Sequence, residues 1–338
     1  LEIEADLIEE VARMNGLDKV PDQLPGSRVV SQANDKPSRA REICKDRLAG
    51  LGLMEVVHYS FLAKAQVDVF GSDEERRVYL PNPVSSDFSV LRDSLVPQMT
   101  DCLGRNLSRQ VRDAAFFEVG KVYLREGGVL REEERLCIGI MGKVGRDILL
   151  KRKALQADEV YLWLKGILEA LGKTLHAGAI ECKPVQLPYC ETGRAVSISM
   201  GGTECGVSGM LSEGVRQRWR MTEPVAIAEI ALASLLAVIF RPGEFKLLPQ
   251  YPSVSRDVAM LVGESLTHEK IVNVIQKIAP PELTGIELFD IFKGKGMGDG
   301  RKSVAYSLTY RSFERTLTDE EANKLHDSIK NALKKELN

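Results

Sequence analysis

The sequence predicts an α+β fold in two parts: a larger antiparallel sheet flanked by helices, then a smaller sheet backed by two helices. Two observations predict it. In the first part strand candidates recur in runs, at residues 136–142, 196–200, 205–211 and 225–230, with long helices expected at 91–111 and 158–171. An alternating βαβ chain has a different rhythm. In the second part the order is β-α-β-β-α, a ferredoxin-like split βαβ sheet. Its last edge strand is very short or missing, because the chain stops at KKELN.

The second part is the more legible. YPSVSRDVAMLV (251–262) is a first strand, and 267–279 is a helix with Ile271, Val274, Ile275 and Ile278 at helical spacing. Residues 283–292 are rich in Ile, Leu and Phe and suit a strand. In 303–312, Val304, Tyr306, Leu308 and Tyr310 alternate with Ser303, Ala305, Ser307 and Thr309, the period of a strand with one buried face. Between the two strands lies KGKGMGDGRK, with Gly294, Gly296, Gly298 and Gly300 among Lys293, Lys295, Arg301 and Lys302; it reads as a mobile basic turn. Thr318, with Glu321 three residues on, opens the last helix as a capping box.

Composition bounds the function. The chain has 338 residues, 44% hydrophobic and 28% charged, the profile of a globular protein of two or three domains. No apolar run reaches the length of a membrane span, and no signal peptide is visible. The chain starts inside an apparent helix without a Met, so it is expected to be part of a longer protein. Six cysteines form no C-x-x-C pair and four histidines are scattered, which argues against zinc and for thiols in a reducing cytosol. Net charge is −2, so contact with nucleic acid must come from local patches. From Leu248 onward thirteen Lys or Arg balance thirteen Asp or Glu, yet cations gather around the basic turn and acids at Asp319, Glu320 and Glu321. Phe289, Phe292, Tyr306 and Tyr310 are interleaved there, and most of these rings are expected in the core.

In the first part, 1–14 is an amphipathic helix stopped by Gly16. Asp6, Glu9 and Glu10 share one side of one turn, either as a solvated acidic face or as oxygen ligands for Mg²⁺. A linker with Pro21, Pro25, Gly26 and Pro37 follows, then a helix over 37–51 with Ala40, Ile43, Cys44, Leu48 and Leu51 on one face. Residues 54–62 form a strand candidate. Arg92 stands in LRDSLVP, which reads as a helix start, and 131–135 reads as a solvated charged loop. GGTECGVSG lacks the spacing of a phosphate loop and reads as a hairpin turn. Trp163 and Trp219 are expected in the core or at an interface. RPGEFKLLPQ is a second linker.

Three separated motifs, YPSVSRDVAMLV, FDIFKGKGMGDGRKSVAYSLTYRS and RTLTDEEANKL, closely resemble the ferredoxin-fold anticodon-binding domain that ends the β subunit of bacterial phenylalanyl-tRNA synthetase. VYLPNPVSSDFSVLRDSLVPQMTDCLGRN and AAFFEVGKVYL resemble that subunit's catalytic-like module, which has class II synthetase architecture. DLIEEVARMNGLDKVP is similar to the end of the domain before that module, the B5 domain. The resemblance implies a division into 1–20 (end of a truncated B5-like domain), linker 21–37, non-catalytic module 38–240, linker 241–250 and anticodon-binding domain 251–338. It implies that Asp6, Glu9 and Glu10 take part in a Mg²⁺ site completed by a residue before Leu1.

It further implies a cytoplasmic α2β2 heterotetramer, catalysis in the α subunit, ATP as a substrate not bound here, and an editing domain upstream of Leu1. Lys293, Lys295, Arg301, Lys302, Arg311 and Arg315 would meet tRNA(Phe); no DNA or membrane partner is expected. Class II enzymes clamp ATP with two arginines. Here the candidates Arg92 and Arg194 stand in departed contexts and are expected in ion pairs. Two other readings remain at this point: a non-catalytic small-molecule regulator built on the ferredoxin-like sheet, and an autonomous ligase with a disguised site.

Overall fold

A computed structural model describes residues 2–23, 26, 36–142, 157–239, 248–293 and 300–337. The α+β class holds, and the chain divides into two compact units, Leu1–Gly243 and Glu244–Asn338. The first unit contains α1 (Glu4–Asn15), α2 (Lys36–Gly50), β1 (Met54–Glu55), β2 (Phe61–Leu62), α3 (Lys64–Val69), β3 (Val78–Tyr79), β4 (Val90–Leu91) and α4 (Val96–Ser108). Then come β5 (Ala114–Glu126), β6 (Val129–Met141), α5 (Ala157–Thr174), β7 (Ile180–Pro184), β8 (Cys190–Met200), β9 (Thr203–Leu211), α6 (Glu213–Arg218), β10 (Val225–Ala231) and α7 (Leu232–Ile239).

Seven of these strands form one sheet in the order β1-β5-β6-β10-β9-β8-β7, antiparallel except where β1 joins β5. Both faces are covered. Leu136, Ile138 and Ile140 of β6 pack with Cys44 and Leu48 of α2 and Leu164 and Leu168 of α5. Cys137 and Met141 pack on the other side with Met99 and Leu103 of α4. Burial on both faces is why β6 ends in an unbroken apolar run instead of alternating.

Two diglycine turns close the long hairpins. Gly127 and Gly128 have φ of 57° and 84°, and Gly201 and Gly202 have 59° and 79°. Positive φ at both central residues gives the turn whose twist matches the flanking strands. The second is the hairpin expected in GGTECGVSG.

Three sequence expectations need correction. Residues 54–62 are two short strands in different sheets, β1 and β2, separated by an extended link. The helix expected over 91–111 begins only at Val96, because Val90 and Leu91 pair as β4 with β2 and β3. The charged run 131–135 is no loop: it is the middle of β6, paired residue for residue with β5. Its charges find partners no local reading can see, as in Lys121–Glu132 at 2.7 Å, Arg41–Glu134 at 2.8 Å and Arg135–Glu229 at 2.9 Å.

At Gly206, where β9 meets β10, an added Cβ would lie 2.2 Å from the Glu229 carbonyl oxygen. Gly206→Ala is therefore expected to cost about 1–3 kcal/mol. Urea unfolding checks this as a lower midpoint at unchanged slope. Gly214→Ala, in α6 with nothing within 4 Å of the new Cβ, is the neutral control.

The second unit contains β11 (Val254–Gly263), α8 (His268–Lys277), β12 (Leu283–Phe292), β13 (Arg301–Tyr310) and α9 (Asp319–Leu337). The strand order is β11-β13-β12, both pairs antiparallel. No fourth strand pairs with this sheet among the described residues. Both helices begin with a side-chain cap, and the box at Thr318 forms as read from the sequence. Thr267 Oγ1 accepts from Lys270 N at 3.3 Å. Thr318 Oγ1 accepts from Glu321 N at 3.3 Å, while Glu321 Oε2 accepts from Thr318 N at 3.0 Å.

Candidate nucleic-acid interface

One face of the small sheet is core. Val304, Tyr306, Leu308 and Tyr310 are buried, packing with Ile271 and Ile275 of α8 and Ile329 and Leu333 of α9. Two histidines satisfy the tyrosine hydroxyls: His268 Nδ1 lies 2.8 Å from Tyr306 Oη, and His326 Nδ1 lies 3.2 Å from Tyr310 Oη. Burial lowers the His326 pKa and raises Tyr310 to about 12, so both stay neutral in the core.

The opposite face follows from the register. Ser303, Ala305, Ser307 and Thr309 form its centre, flanked by Leu261, Ala259, Asp257 and Ser255 of β11 and by Phe292, Asp290, Glu287 and Gly285 of β12. Small and polar side chains leave the backbone of this face approachable. A register shift between Leu288 and Asp290 sets Phe289 out of the ladder. Phe289, Ile291 and Phe292 are all about half exposed. Tyr306 and Tyr310 are thus core as expected, whereas Phe289 and Phe292 are not. Alternation in β13 shows its buried face in the sequence; the bulge hides that of β12.

The six cations singled out in the sequence do not form one group. Arg301 opens β13 and Arg311 follows its end, so about 33 Å of extended chain separates them. Lys293, Arg301 and Lys302 stand at one end of the sheet, Arg311 and Arg315 near the other. Lys295 lies outside the described residues. Lys293 Nζ pairs with Glu264 at 3.0 Å, and Lys302 Nζ donates to the Leu266 carbonyl at 2.7 Å. Arg315 grips the capping carboxylate of Glu321 at 2.6 and 2.9 Å, and that hydrogen bond, aided by the Thr318 backbone, holds Glu321 down to about 2. Arg301 is exposed with no ion pair among the described residues. Arg311 is half-buried, its Nε without a hydrogen-bond partner.

The acidic side of α1 does not assemble into a ligand set. Asp6 Oδ2 accepts from the backbone N–H of Glu2 at 2.7 Å and of Ile3 at 3.2 Å; these bonds cap the helix and lower the Asp6 pKa. Glu10 pairs with Arg13 at 2.5 Å, and Glu9 points to solvent. Among the described residues no three His, Cys, Asp or Glu side chains converge to hold a metal. The residues present here do not by themselves fit a Mg²⁺ site.

In the first unit Arg92 leaves the end of β4 and is buried. Its Nη1 donates to Glu118 Oε1 at 2.8 Å and its Nε to the Lys121 carbonyl at 2.8 Å. Glu118, on β5, also meets His58 Nδ1 at 2.6 Å. Arg194 pairs with Asp158 at 2.8 Å and Glu191 at 3.5 Å. Both arginines are in ion pairs, as the sequence leads one to expect. Trp219 Nε1 donates to Asp101 at 3.1 Å within a partly buried cluster, but Trp163 is nearly half exposed on α5. No helix of the described residues is long and apolar enough to cross a membrane.

Comparison with known proteins places these two units. Residues 20–232 match the model of the phenylalanyl tRNA synthetase beta chain CLM domain, and residues 249–338 match the ferredoxin-fold anticodon binding domain. The phenylalanine–tRNA ligase beta subunit of Symbiobacterium thermophilum is 34% identical over 98% of this chain and 38% of its own length. That of Geobacillus kaustophilus is 33% identical over 99% of this chain and 41% of its own. The chain thus spans about two-fifths of the length of the curated relatives it matches. Among solved structures, the pyrrolysyl-tRNA synthetase of Desulfitobacterium hafniense aligns with a TM-score of 0.49 and 16% identity, over 70% of this chain and 77% of that one. The matched models account for both units in order, and the chain belongs to the phenylalanyl-tRNA synthetase β chain family.

Proposed function

We propose that this chain is the C-terminal portion of a phenylalanine–tRNA ligase β subunit, serving ATP-dependent formation of phenylalanyl-tRNA in a cytoplasmic α2β2 assembly. Residues 38–240 act as the scaffold for the catalytic α subunit, and residues 251–338 bind tRNA(Phe). Residues 1–20 end a B5-like domain, where Asp6, Glu9 and Glu10 join a Mg²⁺ site only with ligands from outside this chain.

The observation that carries the reading is the order of the two matched models along one chain, CLM then anticodon-binding. Two features of the geometry support it. Arg92, a candidate phosphate clamp, is consumed by Glu118 in the interior, so it is not free to meet ATP. The small sheet offers an uncovered face with half-exposed aromatic rings and cations at its ends, the parts that single-stranded RNA loops use for stacking and backbone contact.

The test is a titration of tRNA(Phe) against this chain assembled with an α subunit, at several salt concentrations. Lys293→Ala combined with Arg301→Ala is expected to weaken binding roughly tenfold and to flatten the log–log salt slope by about 1.4, two single-strand phosphate contacts. An anticodon variant of the tRNA should lose affinity for the unsubstituted assembly. Should the double variant titrate like the parent, those two cations do not touch the RNA.

A further inference from the structure

The small sheet has an open edge that the proposed RNA face does not use. β11 is the outer strand of the order β11-β13-β12, and among the described residues no strand pairs with its other side. The ladder fixes which backbone groups are left over. Glu264 N donates to Gly300 O at 2.7 Å, one step beyond the pair Gly263 and Arg301, so the even-numbered residues of β11 bond to β13. In an antiparallel pair such residues alternate with ones whose groups turn outward. The N–H and C=O of Ala259 and Leu261 therefore point away from β13, off the sheet. Both residues are exposed. A row of such groups is a template for one more strand.

Beside this edge runs a groove of about 90 Å³, lined by Val258, Met260 and Val262 of β11 and by Leu333, Lys334 and Leu337 of α9. Its floor is apolar: Val258, Val262 and Leu333 are buried. Its rim is cationic. Lys330, also part of the lining, and Lys334 stand at i and i+4 on one side of α9. Lys330 has Asp327 at 3.7 Å, whereas Lys334 is exposed with no ion pair among the described residues.

A strand laid along β11 sends every second side chain into this groove, because side chains alternate across a strand. Aliphatic side chains suit the floor, and a carboxylate suits the rim. Charge argues against a second copy as the occupant. Pairing β11 with its own image brings two sets of Lys330 and Lys334 to one seam, where like charges repel.

We propose that the open edge of β11 takes up an extended, acidic segment of a partner polypeptide as a fourth strand. Ala259 and Leu261 supply the main-chain hydrogen bonds, the groove takes the aliphatic side chains, and Lys334 pairs with a carboxylate. The site is the edge of the sheet, not its uncovered face, so it stands whether or not that face meets RNA.

The test titrates the full chain against a short fluorescent peptide of alternating valine and threonine with a glutamate at each end, read by anisotropy. Saturable binding is expected, and the same peptide with lysine ends should bind about fivefold more weakly or worse. Ala259→Pro removes an outward N–H while the β13 ladder keeps its bonds, so the chain should fold and its affinity fall at least about tenfold. Lys334→Glu should erase the preference between the two peptides. The proposal is overturned by an absence of saturable binding, or by equal binding to a folded Ala259→Pro chain. A concentration-dependent dimer of the parent that Ala259→Pro dissolves would make a second copy the occupant and overturn the acidic partner. Should the proline variant lose amide protection along β13, Lys334→Glu decides alone: a surviving preference for the acidic peptide overturns the proposal.

Discussion

Replacing Glu118 by alanine is expected to destabilise the first unit by about 3–5 kcal/mol, the usual consequence of stranding a buried charge. Glu118 is 1% exposed and Arg92 3%, so neither can turn to water. One carboxylate serves two cations, Arg92 at 2.8 Å and His58 at 2.6 Å. Burial pushes the Glu118 pKa up, but the His58 hydrogen bond and the Arg92 charge outweigh it and hold the carboxyl below its ordinary range. In Glu118→Ala, Arg92 keeps, among the described residues, the Gln98 side chain and the Lys121 carbonyl.

The same substitution changes how stability depends on pH. His58 titrates near 6.5 when unfolded and near 9 when folded. Its contribution is therefore fully present below pH 6.5 and is lost as pH rises through about 9, because the folded state holds the extra proton across that window. Urea unfolding at pH values below, within and above the window should show this decline in the parent and a smaller one in Glu118→Ala, because Cys102 also raises His58 and remains in the variant. A variant with parental stability, or one that keeps the parental decline, would refute the account of the pair.

Tyr306→Ala is expected to remove about 3–5 kcal/mol from the second unit. The ring is fully buried between β11, α8 and α9, and it stacks on His268 with centroids 5.6 Å apart. The substitution leaves a cavity and strips the His268 nitrogen of its hydroxyl partner. A domain of this size has about 5–15 kcal/mol to lose, so the unit should sit near its unfolding threshold. Tyr306→Phe, which keeps the ring and loses only the hydroxyl, should cost about 1 kcal/mol. Hydrogen exchange in the full chain reads both: β11–β13 amides lose protection strongly in the first variant and slightly in the second, with β5 and β6 unchanged. Equal protection in both variants would mean the ring is not a core residue.

The second unit was largely legible in advance. Ser/Ala/Thr alternating with Val/Tyr/Leu along β13 states which face is buried before any partner is known, since side chains on a strand take opposite sides in turn. Thr318 and Glu321 announce a helix start because capping is a contact over three residues. The first unit was less so. The charges of 131–135 look like a loop until β5 is placed beside them, and 54–62 looks like one strand although its ends join different sheets. The cations of the proposed interface were read as one patch, but ten residues of extended β13 carry them apart.

What the sequence determined by itself is what repeats or closes within a few residues: the alternation of β13, the apolar faces of α2 and α8, the Thr318 cap, and the family motifs. Tertiary structure alone decided which charges are engaged. His58, Arg92 and Glu118 come from segments up to sixty residues apart, and only folding brings them within hydrogen-bonding distance. The reason is physical: dihedral preference and periodicity act along the chain, whereas desolvation and Coulomb attraction act through space.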